Sequence, residues 1–169
     1  MSMQPITSPG EAPARVLALM VASNGHIDER EMRMLDELDA YRRLAVPRQR
    51  FVELAQACLG EVGTDLAERS WLSLDESLYL VGLLDAVADP GQRLLVCRLA
   101  AAVITSDGSV SGSERRIYGF TLARWGITQE QVAQAIRQDS HHHTLASQAG
   151  AKGGAGTARK RPAGASTAD

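Results

Sequence analysis

The chain has 169 residues, 44% of them apolar and 22% charged, which is ordinary globular usage with room for one domain and a sizeable core. Its net charge of -2 is unevenly placed: residues 140 to 169 carry Lys152, Arg159, Lys160 and Arg161 against Asp169, so the rest of the chain is the acidic part. A mildly acidic body does not draw nucleic acid or anionic lipid by its summed field, which leaves only the tail for such contacts and excludes them for the body.

Met1 to Glu11 has neither a basic n-region nor an apolar h-region, so no secretory signal is read and a cytoplasmic protein is expected. Pro5, Pro9 and Gly10 mark residues 1–11 as a flexible lead. The first helix is expected over Ala14 to Ser23; apart from Arg15 it is apolar nearly all round, as suits the middle of a bundle. Asn24-Gly25 stops it. Asp28 with Glu31 forms a capping box for a second helix, Ile27 and Met32 are placed as a hydrophobic staple, and Met34, Leu35, Leu38 and Tyr41 supply the buried stripe. A third helix follows Pro47, with Phe51, Leu54, Ala55, Cys58 and Leu59 on one face and Gly60 at its end.

After a looser stretch through Trp71, Ser73 caps a helix that carries Asp75 and Glu76 in its first turn and runs to about Ala88. Asp89-Pro90-Gly91-Gln92 restarts the chain, and Leu94 to Thr105 is the second nearly all-apolar segment. It stops at Asp107-Gly108. Ser111 and Glu114 form another capping box, Ile117, Tyr118, Thr121, Leu122 and Trp125 face inward, and Gly126 closes that helix. Thr128 with Gln131 caps a last helix, Gln129 to about Gln138, beyond which residues 140–169 read as a disordered Ala/Gly/Ser-rich basic tail. The apolar stretches Val16 to Ala22, Ser77 to Leu84 and Leu99 to Thr105 are all shorter than the roughly 20 residues that cross a bilayer. Cys58 and Cys97 sit in apolar helical patterns without a Cys-x-x-Cys pair or a nearby His, so they are expected as buried free thiols.

Shifted by 83 residues, the chain aligns with itself. Arg15 meets Arg98, Ala18 meets Ala101, Val21 meets Ile104, Asn24 meets Asp107 and Gly25 meets Gly108. The match continues through the turn, with Ile27 on Val110, Asp28 on Ser111, Glu31 on Glu114 and Arg33 on Arg116. A long unit used twice implies two halves packed around one core, since an open solenoid needs about three or more. The fold expected is therefore all-α, a compact bundle of about seven to eight helices with an internal two-fold pseudo-repeat, its two apolar helices paired centrally.

The repeated turn, Asn24 to Glu31 and Asp107 to Glu114, reads [Asn/Asp]-Gly-x-[Ile/Val]-[Asp/Ser]-x-x-Glu. It looks like half a calcium loop. In an EF-hand, however, the first and third positions need oxygen ligands, and here they fall on Met20 and Ala22 and on Val103 and Thr105. Ser23-Asn24-Gly25-His26-Ile27 with Glu31, and Ser106-Asp107-Gly108-Ser109-Val110 with Glu114, instead resemble the motif of the TerB-like tellurite-resistance family, over roughly residues 12–139. The resemblance implies a compact helical domain with an internal duplication, a non-catalytic stress-response role, and suspected metal ligands among the acidic residues of the motif. Members are also found fused to a membrane-anchored co-chaperone of the DnaJ type, so a protein partner is expected, with any membrane association made through it.

The motif is depleted here: Asn24 is neutral where the family has Asp, and Ser111 stands where the first copy has Asp28. Candidate cation ligands are Asn24, Asp28 and Glu31 in one turn and Asp107, Ser111 and Glu114 in the other, oxygen donors that favour calcium or magnesium. Turn and capping chemistry accounts for the same residues without a metal and is the favoured reading of them. An interaction domain with no ligand is the alternative function. His26 is read as a solvated turn residue, His141-His142-His143 as a floppy segment or helix cap, and Arg159-Lys160-Arg161 as a solvated tail. The glycines at 153, 154 and 156 follow no strand and make no phosphate loop, and no nucleophile motif of the Gly-x-Ser-x-Gly or His-Glu-x-x-His kind occurs, so no enzyme is expected.

Overall fold

A computed structural model describes residues 10–25, 27–62, 72–106 and 111–151. The element at its centre is α1 (Glu11–Ala22), in which every residue from Ala12 to Ala22 is buried. A helix with no wet face must be covered on all sides, and α4 (Arg48–Val62), α5 (Leu74–Asp85), α6 (Pro90–Ser106) and α7 (Gly112–Trp125) all pack on it. The two apolar helices thus do meet. Two short helices, α2 (Glu29–Glu37) and α3 (Ala40–Arg43), link α1 to α4, and α2 lies against α6. A last helix, α8, runs Gln129–Ala151. The described residues are all-helical, with no strand among them, and none of their helices is long and apolar enough to cross a membrane.

The caps read from the sequence form. Ser73 and Glu76 bond reciprocally at the start of α5, with Glu76 N donating to Ser73 Oγ over 3.2 Å. Asp89 Oδ2 accepts from Gln92 N at 2.8 Å, where Pro90 opens α6 without needing an amide partner. Thr128 and Gln131 exchange bonds of 2.8 and 3.2 Å at the start of α8. Gly126, at φ 64, ends α7 in the left-handed conformation that glycine adopts without strain.

Five boundaries differ from the sequence reading, the first being the start of α1, which lies at Glu11 and not Ala14 and takes in the last residue of the expected lead. The helix expected from Asp28 through Tyr41 breaks in two because Asp39 adopts φ 54, a conformation that aspartate tolerates better than most side chains. The break still delivers Tyr41 inward: its ring meets Phe51 edge-on at 5.5 Å. Gly60 does not end α4, which continues to Val62, since a helical glycine costs only about 1 kcal/mol and does not block the next turn. Helix α5 stops at Asp85, short of Ala88, and leaves Val87 buried in the connection to α6. Helix α8 passes Gln138 and reaches Ala151, so residues 140–151, read as tail, are helical and contain His141, His142 and His143. Extending an existing helix needs no new nucleus, and this stretch holds Leu145, Ala146 and Ala149 and no proline. The chain divides after Ile136 into two units, the second beginning at Arg137 within α8.

Both thiols are buried and neither is in a disulfide. Burial pushes Cys97 up to about 12 and also raises Cys58.

Candidate functional site

The first repeated turn follows directly from the end of α1. Ser23 Oγ bonds back to the Met20 carbonyl at 2.8 Å, and Gly25 at φ 93 donates its amide to the Ala22 carbonyl at 3.0 Å. A side chain at Gly25 would be strained, so the Asn-Gly pair is read correctly as a turn that needs positive φ. Asp28 then caps α2, with Oδ1 accepting from Arg30 N at 2.7 Å, while Glu31 Oε2 accepts from the Asp28 amide at 3.3 Å. In the second copy Ser111 Oγ accepts from Glu114 N at 3.1 Å and Glu114 Oε2 accepts from Ser111 N at 3.0 Å. Ser111 Oγ also lies 3.0 Å from Ser113 Oγ. Asp107, along with His26 and residues 108–110, lies outside the described residues.

The sequence grouped the candidate ligands by turn, three to each. The structure adds a bond that crosses between them: Asn24 Nδ2 of the first turn donates to Glu114 Oε1 of the second at 2.9 Å. Glu31 and Glu114, only 5% and 4% exposed, line one narrow space with Met20, Val21, Val103 and Ile104, and it leaves no room for a water molecule. The two capping glutamates therefore share an environment that neither copy of the motif reveals alone. The cross-turn bond depends on Asn24 being an amide, since an aspartate there would set a carboxylate against Glu114.

Whether this arrangement suits a hard cation can be judged from its donors. Calcium takes 6 to 8 oxygen ligands and magnesium a near-octahedral shell. Here both oxygens of Glu114 already accept protein hydrogen bonds, Asp28 and Ser111 are engaged in capping, and the space beside Glu31 is walled by aliphatic side chains. No group of three or more His, Cys, Asp or Glu is placed to hold a metal among the described residues. On the accessible side, Arg30, Arg33, Met34, Glu37 and Ser106 line an open cleft of about 260 Å³, where two guanidinium groups against one carboxylate oppose the approach of a cation. As they stand, the described donors do not fit calcium or magnesium.

Two features went unread in the sequence. Leu74 and Leu78 are 75% and 60% exposed, one turn apart on α5, while Leu80, Leu83 and Leu84 of the same helix are buried. The signal was available: α5 carries apolar residues at two separate helical spacings, more than one core face can use. The second is the burial of Arg15, the polar exception in α1, which is only 7% exposed. Comparisons with protein-family models, with curated proteins and with solved structures find no match to this chain.

Proposed function

We propose that this chain is a non-catalytic protein-interaction module of the TerB-like kind that works without a bound metal and docks its partner on the outer face of α5. The observation that carries the reading is the exposure of Leu74 and Leu78. Single exposed leucines are common, but two stacked at i and i+4 form a contact stripe of the kind an apolar partner surface covers. The charged residues of α5 are Asp75, Glu76 and Asp85, with no Lys or Arg on the helix. A partner segment with aliphatic anchors flanked by basic residues complements that face. The non-catalytic assignment rests on the use of the repeated acids as caps and on the burial of both thiols, which holds them protonated.

The test is the double variant L74S/L78S. Both side chains are largely outside the core, so the thermal midpoint is expected to stay within about 2 °C of the parent. Cross-linking in the cells that make the protein should yield a discrete partner for the parent and not for the variant. An identical cross-linked species from both would sink the docking face.

A second reading keeps a divalent cation at the turns as part of a TerB-like stress response. It is favoured by one observation, that Glu31 and Glu114 line one buried space, and it requires the caps to open, because that space as it stands does not admit a cation. Calorimetric titration of chelator-stripped protein with calcium and magnesium, beside the E31Q/E114Q variant, separates the two. Glutamine preserves the capping geometry, so uptake by the parent alone would establish the cation reading, and no uptake by the parent would remove it.

A further inference from the structure

The outer face of α5 calls for an apolar contact flanked by positive charge, and the molecule itself carries a surface of that kind. It is the open cleft of about 260 Å³ between α2 and the last residue of α6, where the half-buried Met34 sits with the exposed Arg30, Arg33 and Ser106. Arg30 and Arg33 are three residues apart on α2 and so are neighbours on the helix surface. Glu37 shares the lining, which leaves two guanidinium groups against one carboxylate. Asp36, of the same helix, is outside the lining and is held by Arg48 at 3.4 Å.

The acids of α5 are not equivalent. Glu76 is engaged in the capping box, and Asp85 pairs with Arg124 at 2.8 Å. Asp75 is exposed beside Leu74, and among the described residues no ion pair involves it, Arg30 or Arg33. Leu74, Asp75 and Leu78 therefore present two apolar anchors and one carboxylate, and the cleft presents a thioether and two bases. We propose that the occupant of the α5 face is a second copy of this chain, with Leu74 and Leu78 of one copy against Met34 of the other and Asp75 between Arg30 and Arg33. The inference rests on the α5 docking face proposed above and adds what fills it. Pairing α5 with α5 would instead set Asp75 against Asp75, a like-charge juxtaposition that disfavours that partner. Because the two surfaces differ, the contact is heterologous: copies add head to tail, or two copies close by each filling the other's cleft.

Sedimentation of the full chain over a concentration series tests this. A contact of this size is a weak one, so the weight-average mass of the parent should be that of a monomer at low micromolar concentration and should climb to a dimer or beyond toward ~1 mM. Added salt should lower it, because exposed charge pairs are screened. D75K, R30E/R33E and L74S/L78S should each hold the chain monomeric. The swapped chain, D75K with R30E/R33E, restores opposite charges across the contact and should associate again. If D75K does not fold, because it puts a base in the first turn of α5, D75N and R30Q/R33Q carry the test: each should weaken association, and their combination should weaken it no further than either alone. A parent that stays monomeric throughout overturns the second copy as occupant and leaves the α5 face itself to be judged by the cross-linking of L74S/L78S. Association that survives R30E/R33E, that the swap fails to restore, or that adds the losses of D75N and R30Q/R33Q overturns the cleft as the place where α5 docks.

Discussion

Helices α1 and α6 occupy aligned, mainly apolar stretches of the sequence and have different fates. Each is an apolar segment that leads into a repeated turn, and the alignment pairs Ala18 with Ala101 and Val21 with Ile104. In α1 burial is complete from Ala12 to Ala22. In α6 it is confined to Val96, Cys97, Leu99, Ala100, Val103 and Ile104, with Ala101 and Ala102 half-buried and Thr105 exposed. The difference lies in what surrounds them. Helix α1 is packed by α4, α5, α6 and α7, whereas α6 packs mainly on α1, α2 and α7 and meets α8 where Cys97 and Val132 share a cluster. It also divides its burial, giving Leu99 and Val103 to the main core and Cys97 to a smaller cluster with Leu122 and Val132. Hydropathy shows that a segment can be buried; how completely its neighbours close around it decides how far it is.

The comparison is broken most directly by placing the same polar side chain in both helices. Ala18→Gln puts an amide where the helix has no exposed side, combining overpacking of about 1–3 kcal/mol with an unsatisfied polar group of similar cost, and should lose about 3–5 kcal/mol. Ala102→Gln can turn its amide to water and should stay within about 1 kcal/mol of the parent. Urea unfolding midpoints measure both. Equal losses would mean that α6 is as enclosed as α1.

Cys97 sharpens the contrast at high pH. Its thiol is raised from 9.0 to about 12 by burial, so between those values the unfolded chain gives up this proton and the folded chain keeps it. Stability is then fully present below pH 9 and falls as pH rises, by roughly 1.4 kcal/mol per pH unit for one proton. In C97A that contribution disappears, and stability measured between pH 9 and 11 should fall less steeply than in the parent. An unchanged slope would place Cys97 in contact with water.

A smaller effect tests the link between the turns. Asn24→Ala removes the donor to Glu114 Oε1 and leaves a carboxylate oxygen of a 4% exposed residue short of a partner, a loss of about 1–3 kcal/mol. Combined with E114Q, whose uncharged side chain needs the donor less, the loss should be less than additive. Strict additivity would show that the two turns do not communicate.

The sequence was most informative where the cause is local. Capping boxes at Asp28 and Ser111, the caps at Ser73 and Thr128, and the stops at Gly25 and Gly126 depend on a few neighbouring residues and form as read, and at Ser73 the structure adds the reciprocal bond from Glu76. Nothing in the periodicity around Asp39 requires a left-handed residue, and Gly60 does not stop its helix because glycine ends a helix only when the next turn has a reason to leave. At the candidate site the order of information reverses. Asn24, Asp28, Glu31, Ser111 and Glu114 were all picked out, yet their grouping by turn omitted the contact between Asn24 and Glu114, which are 90 residues apart and share no local pattern. The sharing of Glu11 is equally hidden: Arg15, one turn on, acts on its carboxylate through space, while Arg50 arrives from α4 to take the hydrogen bonds of both oxygens.

That last arrangement yields the smallest prediction. The Arg50 guanidinium holds the Glu11 carboxyl below its usual 4.5 through hydrogen bonds. A depressed carboxylate contributes stability that is fully present above that value and is lost as pH falls through the folded pKa. Because the pair is partly open to solvent, the contribution should be only a few tenths of a kcal/mol, and weaker still in high salt. Glu11→Gln should therefore shallow the acid side of the stability profile slightly and leave neutral pH almost unchanged. It leaves Arg50 its ion pair with Glu53 and removes one carboxylate from the neighbourhood of Arg15. A stability gain in Glu11→Gln at neutral pH would show instead that Glu11 costs more in burial than Arg50 returns, and the first turn of α1 would then be strained around its acid.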